Sequence, residues 1–303
     1  MLVNLKAILE EAEAGKYAVG AFNTPNLESV IAVLQVAERL RLPVVIQHAE
    51  VHEKVIPISV IGPIMVDFAA KASVPVCVQL DHGESEDYIR KALELGFTGI
   101  MYDGSSLPFD ENVRGTRKYV ELARRYGASV EGELGDMGKR NTVYKDAKGN
   151  DELGKVYTDP DQAREFVKQT GVDALACSFG TTHGFYLSEP DLRMDIISQV
   201  YERAGIPVVM HGGSGVSEED FQESIRCGVR KINYYTYMAK AGAEYVGEKM
   251  RGVATPIYFH EICNWGQEGI ERDVEQAVKI FAGNYLEQRD GRIDGNIKEE
   301  AAL

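Results

Sequence analysis

At 303 residues the chain is long for one ordinary domain and normal for a single α/β barrel. Its 44% hydrophobic and 26% charged residues are those of a soluble globular protein. The formal net charge of −14 excludes a nucleic-acid groove or an anionic membrane surface as the main partner, while leaving room for a local basic pocket around a phosphate. Four cysteines, Cys77, Cys177, Cys227 and Cys263, form no CxxC pair and read as free thiols, two of them in buried strands. The first twenty residues lack the basic start, apolar core and cleavage site of a signal peptide, and no apolar run reaches transmembrane length, so a reducing cytoplasm is the expected location.

In chain order, apolar spacing at Leu5, Ile8, Leu9 and Ala12 predicts an amphipathic N-terminal helix stopped by Gly15. Strands are predicted at 18–22, 44–48, 76–80, 99–102, 128–133, 174–178, 207–210 and 229–233. Helices fall between them at about 27–40, 58–72, 86–95, 110–126, from 161, after Pro190, and at 217–227. Between Gly135 and Pro160 the periodicity fails for about 26 residues, too long for an inert connection and open to reading as a site loop or a surface excursion. Two more helices, 237–251 and 268–282, and a polar tail from 291 follow. Eight strands in strict alternation with helices imply a parallel sheet, and eight repeats favour closure. The expected fold is therefore α/β, a (β/α)8 TIM barrel with extra N-terminal and C-terminal helices. It forms a single domain over 1–303, with the barrel at about 18–250, a helical extension at about 251–290 and a tail at 291–303. An open doubly wound sheet is the weaker alternative, since no GxGxxG follows the first strand.

Residues at or just past the strand ends carry the chemistry in such a barrel. They are Asn23, Asp81, His82, Asp103, Glu133, His183, His211 and Asn233, so three of the six histidines lie there. Three imidazoles converging with an open position form a catalytic rather than a structural zinc site, and Glu133 offers a further ligand. Gly180–Gly184 and His211–Gly215 are glycine-rich turns beside those ligands, the second with Ser214 and a following helix, a pattern that cradles phosphate. Zinc would polarise a carbonyl and stabilise an enediolate, and Asp81 would move the proton when a carbon–carbon bond breaks or forms. Asp81 can also be read as an acceptor for a ligand histidine or as a helix cap.

The segments AFNTPNLESVIAVLQVA, VPVCVQLDHGES, GFTGIMYDGSSLPFDENV, VEGELG, YTDPDQAREFV, DALACSFGTTHGFY, VMHGGSG and GVRKIN, in this order, resemble the class II zinc-dependent ketose-bisphosphate aldolases, the fructose- and tagatose-1,6-bisphosphate aldolases. The resemblance implies His82, His183 and His211 as zinc ligands, Glu133 at an alternate metal position and Asp103 as a polar residue near the metal. It implies Asp81 as the acid working on the C4 hydroxyl. Gly184, Gly212, Gly213, Ser214, Asn233 and Thr236 would hold dihydroxyacetone phosphate, with Asn23 also in the substrate set. A monovalent cation (Na+ or K+) near the phosphate loop and a homodimer or homotetramer are implied as well, with a sugar phosphate as the small-molecule partner.

The departures gather on the aldehyde side. The loop reads GDMGKRN where the family has GGxEDG, leaving Asp136, Asp146 and Glu152 as candidates for the acid that exchanges the C3 proton. Ala49 stands where relatives often place a serine, Tyr235 and Tyr237 replace small or acidic residues, and CNWGQEGI lacks an arginine for a distal phosphate, Arg272 being nearby. His48, His52 and Tyr235 are candidates to face the aldehyde. A ketose 1-phosphate, or a keto sugar acid phosphate of inositol breakdown, would need no distal-phosphate arginine. Two other functions fit the same residues: a zinc-dependent sugar-phosphate isomerase or epimerase, and a non-catalytic aldolase-like subunit.

Overall fold

A computed structural model describes residues 1–135, 157–184, 190–251, 253 and 255–291. Eight parallel strands close into a barrel in sequence order. They are β1 (Val19–Asn23), β2 (Val44–Ala49), β3 (Val76–Gly83), β4 (Gly99–Tyr102), β5 (Ser129–Leu134), β6 (Ala174–Cys177), β7 (Val208–Met210) and β8 (Val229–Asn233). The helices are α1 (Leu5–Gly15), α2 (Leu27–Leu40), α3 (Ile58–Lys71), α4 (Glu86–Glu94), α5 (Phe109–Arg124), α6 (Pro160–Thr170), α7 (Met194–Ala204), α8 (Glu218–Arg226), α9 (Thr236–Arg251) and α10 (Phe259–Ala282). A short 3-10 helix, Glu50–Lys54, follows β2. The predicted alternation and strand positions hold. The last predicted helix starts earlier than its apolar spacing suggests, because Tyr258 and Glu261 form a capping box ahead of it.

The interior of the barrel is layered. Small apolar residues, Ala21, Val45, Cys77, Ala174, Ala176 and Val209, fill its lower part and pack with Leu5, Ile8, Leu9 and Ala12 of α1, which plugs the N-terminal mouth. Above them, inward positions of β2, β3, β5 and β8 are polar. Gln47, Gln79, Glu131 and Lys231 are fully buried there, below the strand tips. A larger apolar shell lies between the outer strand faces and the helices. The plug closes the lower mouth, so the C-terminal mouth is where a ligand can enter.

Strand alternation would send Asp81 inward and His82 outward. The β3–β4 register shifts between Leu80 and Gly83, and His82 adopts φ +46°, left-handed backbone uncommon for a residue with a Cβ. The irregularity turns two consecutive side chains into one site. The strand also runs on through His82 to Gly83, three residues beyond the apolar run that announces it.

Candidate active site

The three histidines of the strand tips come together. Ring centroids lie 4.8 Å apart for His82–His211, 5.1 Å for His82–His183 and 5.6 Å for His183–His211. Their ligand nitrogens lie within 4.8 Å of one another, and so do ligand atoms of His82, Asp103 and Glu133. Glycine makes this closeness possible. A Cβ on Gly212, at φ +66°, would sit 2.4 Å from the Thr182 carbonyl oxygen, so the loops carrying His183 and His211 touch at a point only glycine fits.

Hydrogen bonds fix the ring orientations. His82 Nδ1 lies 2.9 Å from Asp103 Oδ2, and His211 Nε2 lies 2.7 Å from Glu131 Oε1. Carboxylates only accept, so these two nitrogens donate, which turns His82 Nε2 and His211 Nδ1 toward each other at 3.1 Å. Either a shared proton or a metal cation between them satisfies both. Burial acts to lower the pKa of His82, but the charge of Asp81 and the hydrogen bond to Asp103 outweigh it and push it up to about 10. Burial, with His211 and His82 beside it, pulls His183 down to about 3. Burial also lowers His211 against the opposing pull of Glu131. Glu133 Oε2 is buried without a hydrogen-bond partner, and burial lifts its carboxyl to about 8 against the opposing charge of His82. Converging imidazole nitrogens and an orphaned carboxyl oxygen form a donor set that fits a divalent metal. Both oxygens of Asp103 are engaged, Oδ2 by His82 and Oδ1 by Ser105 N and Oγ at 3.1 and 2.7 Å. In this arrangement it orients His82 and lies beside the donor set.

Asp81 is the hub of three strands. Its Oδ2 accepts from Asn23 Nδ2 at 2.9 Å, and its Oδ1 from Asn233 Nδ2 at 3.2 Å and Gln47 Nε2 at 3.4 Å. Burial works to raise its pKa, and the charges of His82, His211 and Lys231 overcome it and hold the group below the usual carboxylate range. Asn23 Oδ1, at the β1 tip, and Gln47 Oε1, in the layer below it, are buried without partners, and the first is an acceptor for a hydroxylated ligand.

Beneath the site runs a buried network that the strand-tip reading missed. Lys231 Nζ lies 2.8 Å from Glu131 Oε2 and donates to Asn233 Oδ1 at 2.6 Å; Gln79 Nε2 donates to Glu131 Oε2 at 3.0 Å. Through Glu131 and Asn233 the ammonium of Lys231 braces His211 on one side and Asp81 on the other. Its sequence signal is a polar residue at an inward position of an apolar strand, as in VCVQLD, VEGE and VRKIN.

Of the residues expected to hold a phosphate, Gly212, Gly213 and Ser214 follow β7, and Thr236 opens α9. Ser214 Oγ accepts from the backbone N–H groups of Tyr235 and Tyr237 at 3.3 and 3.4 Å, tying the glycine loop to that helix start. Gly184 closes the β6 loop at φ +92°. On the aldehyde side, Ala49 pairs with Asp81 in register, and His52 meets Tyr235 with centroids 5.3 Å apart. His48 points outward to α4, its Nε2 2.9 Å from Tyr88 Oη, because inward Gln47 and Ala49 flank it. It therefore does not face the aldehyde. Arg272 lies on α10, ion-paired with Glu268 at 2.7 Å and stacked 4.4 Å from the Tyr245 ring centroid. Asp136, Asp146 and Glu152 lie outside the described residues.

The sequence matches the profile of the fructose-bisphosphate aldolase class-II family over residues 3–284. It is 40% identical to a fructose-bisphosphate aldolase of Geobacillus stearothermophilus over 288 residues, covering 93% of this chain and 98% of that protein. The chain belongs to the class II fructose-bisphosphate aldolase family. This aldolase also superposes on the crystal structure of the YdjI aldolase from Escherichia coli K12 with a TM-score of 0.82 at 32% identity, covering 93% and 97% of the two chains. A putative fructose-1,6-bisphosphate aldolase from Coccidioides immitis matches at TM-score 0.79 and 26% identity, covering 94% and 98%. As a class II aldolase the enzyme is a lyase acting on a sugar phosphate, in a family that is generally metal-dependent. Among the described residues no helix is long and apolar enough to cross a membrane.

Proposed function

We propose that this aldolase is a zinc enzyme that reversibly cleaves a ketose 1,6-bisphosphate or ketose 1-phosphate to dihydroxyacetone phosphate and an aldehyde. His82, His183 and His211 hold the zinc, with Glu133 as the alternate ligand and Asp103 orienting His82. Bound there, zinc supplies a Lewis acid that polarises the ketose carbonyl and stabilises the enediolate that cleavage leaves. Asp81, kept ionised, accepts the C4 hydroxyl proton in cleavage and returns it in synthesis. Asn23 and Asn233 fix both of its oxygens, so the lone pair is aimed before the substrate arrives. Asn233 Nδ2 also lies 3.2–3.4 Å from the His211 ring nitrogens, so its amide sits between Asp81 and His211, where it would face an enediolate held by the metal. The backbone of Gly184, Gly212 and Gly213, the Ser214 hydroxyl and the start of α9 at Thr236 receive the phosphate.

The observation that carries this reading is the junction at β3, where one register shift places a fixed carboxylate next to a three-imidazole donor set. The protein purified with zinc is expected to release dihydroxyacetone phosphate from at least one of fructose 1,6-bisphosphate, tagatose 1,6-bisphosphate and the ketose 1-phosphates, and to lose that activity in EDTA. No release from any of them, with zinc bound, would shift the assignment to an isomerase or a binding subunit. Exposed Tyr258 and Phe259 at the start of α10 support assembly as a homodimer or homotetramer, measurable by sedimentation.

A further inference from the structure

The 3-10 helix Glu50–Lys54 is clamped at both ends. Glu50 accepts from the backbone N–H of Glu84 and Ser85 at 2.9 and 3.2 Å and from Ser85 Oγ at 2.7 Å, where the chain leaves His82 and enters α4. Glu53 Oε2 accepts from Ile58 N at the start of α3 and from Tyr88 Oη, at 2.8 and 2.7 Å. Tyr88 gives its proton to Glu53, so its oxygen accepts from His48 Nε2. Two carboxylates thus anchor a five-residue element whose own hydrogen bonding is poor.

What the clamp presents is His52. Its ring reaches over the tip of β1, which lies between β2 and β8 in the barrel, to Tyr235 just past β8. Asn23 at that tip holds Asp81, so the His52–Tyr235 pair stands over the proton-transferring acid, and the Asp81 charge reaches His52. His52 Nδ1 is buried without a partner.

Accepting the aldolase reading above, we propose that His52 and Tyr235 determine specificity for the departing aldehyde, and that their wall takes a neutral, hydroxylated aldehyde, so that the substrate is a ketose 1-phosphate. A hydroxyl both donates and accepts, and so serves an imidazole nitrogen in either tautomer and a phenol. Burial lowers the His52 pKa against the opposing pull of Asp81, and drives that of His48 behind it to about 4, so the wall stays uncharged at neutral pH. A phosphate dianion at that depth needs charged donors. Among the described residues, the cations nearest this wall by element face carboxylates: Lys231 faces Glu131, Lys240 faces Glu244 at 3.4 Å, and Arg272 faces Glu268. Lys54, two residues and about 240° further round the 3-10 helix, is exposed.

Fructose 1-phosphate and fructose 1,6-bisphosphate differ only in the distal phosphate, and kcat/KM for dihydroxyacetone phosphate release from each reads the wall. The wild-type enzyme is expected to favour the 1-phosphate by about tenfold or more. His52→Ala lowers kcat/KM for the 1-phosphate about tenfold and brings the ratio toward one; Tyr235→Phe, which keeps the ring packing, shifts it by about fivefold. A wild-type preference for the bisphosphate, or variants that lower both substrates in equal proportion, overturns the inference alone. Release only from another ketose bisphosphate overturns the inference alone, whereas release from none of the ketose phosphates, with zinc bound, overturns the aldolase reading and the inference with it.

Discussion

The metal side and the aldehyde side of the barrel mouth are built differently. On the metal side, His82 and His211 are each tied to a carboxylate, and those carboxylates are tied in turn to Ser105 or to Lys231 and Gln79. On the aldehyde side, a short clamped helix offers His52 with a ring nitrogen unpartnered, and Asn23 leaves an oxygen free. A site that must hold a metal in one geometry needs its ligands braced. A site that must read a substrate leaves its hydrogen bonds for the substrate to complete.

Four substitutions would sharpen that contrast, beginning with the largest effect. Lys231→Met leaves Glu131 buried and uncompensated, so about 3–5 kcal/mol of stability is expected to be lost, read as a fall in Tm. The double variant Lys231→Met, Glu131→Gln should recover part of it, and a single variant as stable as the wild type would show the network to be idle. Gly212→Ala forces a Cβ against the Thr182 carbonyl and should separate the loops of His183 and His211, with zinc affinity reduced by about a hundredfold, seen by competition with a chelator. Asp103→Asn removes the charge and leaves one acceptor oxygen where His82 and Ser105 use two, and should weaken zinc by about tenfold. Arg272→Ala, on the α9–α10 face, should change kcat/KM for either fructose phosphate by less than about twofold, since its partners are Glu268 and Tyr245. A larger loss confined to the bisphosphate would mean that Arg272 reaches a distal phosphate after all.

Most of the barrel was legible because parallel strands buried on both faces are short apolar runs, and helices between them show their own period. The three histidines that cluster at the barrel mouth were legible because they stand at the ends of such runs. Three things were not. His82 turning inward depends on a register shift between β3 and β4, a pairing property that one strand's residues do not encode. The Lys231–Glu131 pair joins strands a hundred residues apart, and each residue alone looks like an isolated polar position in an apolar strand. The 3-10 helix at Glu50–Lys54 owes its existence to Glu50 and Glu53 reaching α4 and α3, contacts invisible in local spacing. His48 misled for the opposite reason, since its proximity in sequence to Ala49 and His52 hides that alternation turns it to α4.

The central claim is that a fixed carboxylate and a three-imidazole metal set act together on one substrate. Zinc content and dihydroxyacetone phosphate release, measured side by side for the wild type and Asp81→Ala after metal stripping and reloading with zinc, test it most directly. The account predicts that the variant takes up as much zinc per chain as the wild type and cleaves at least about a thousandfold more slowly. Turnover by Asp81→Ala equal to that of the wild type would contradict it.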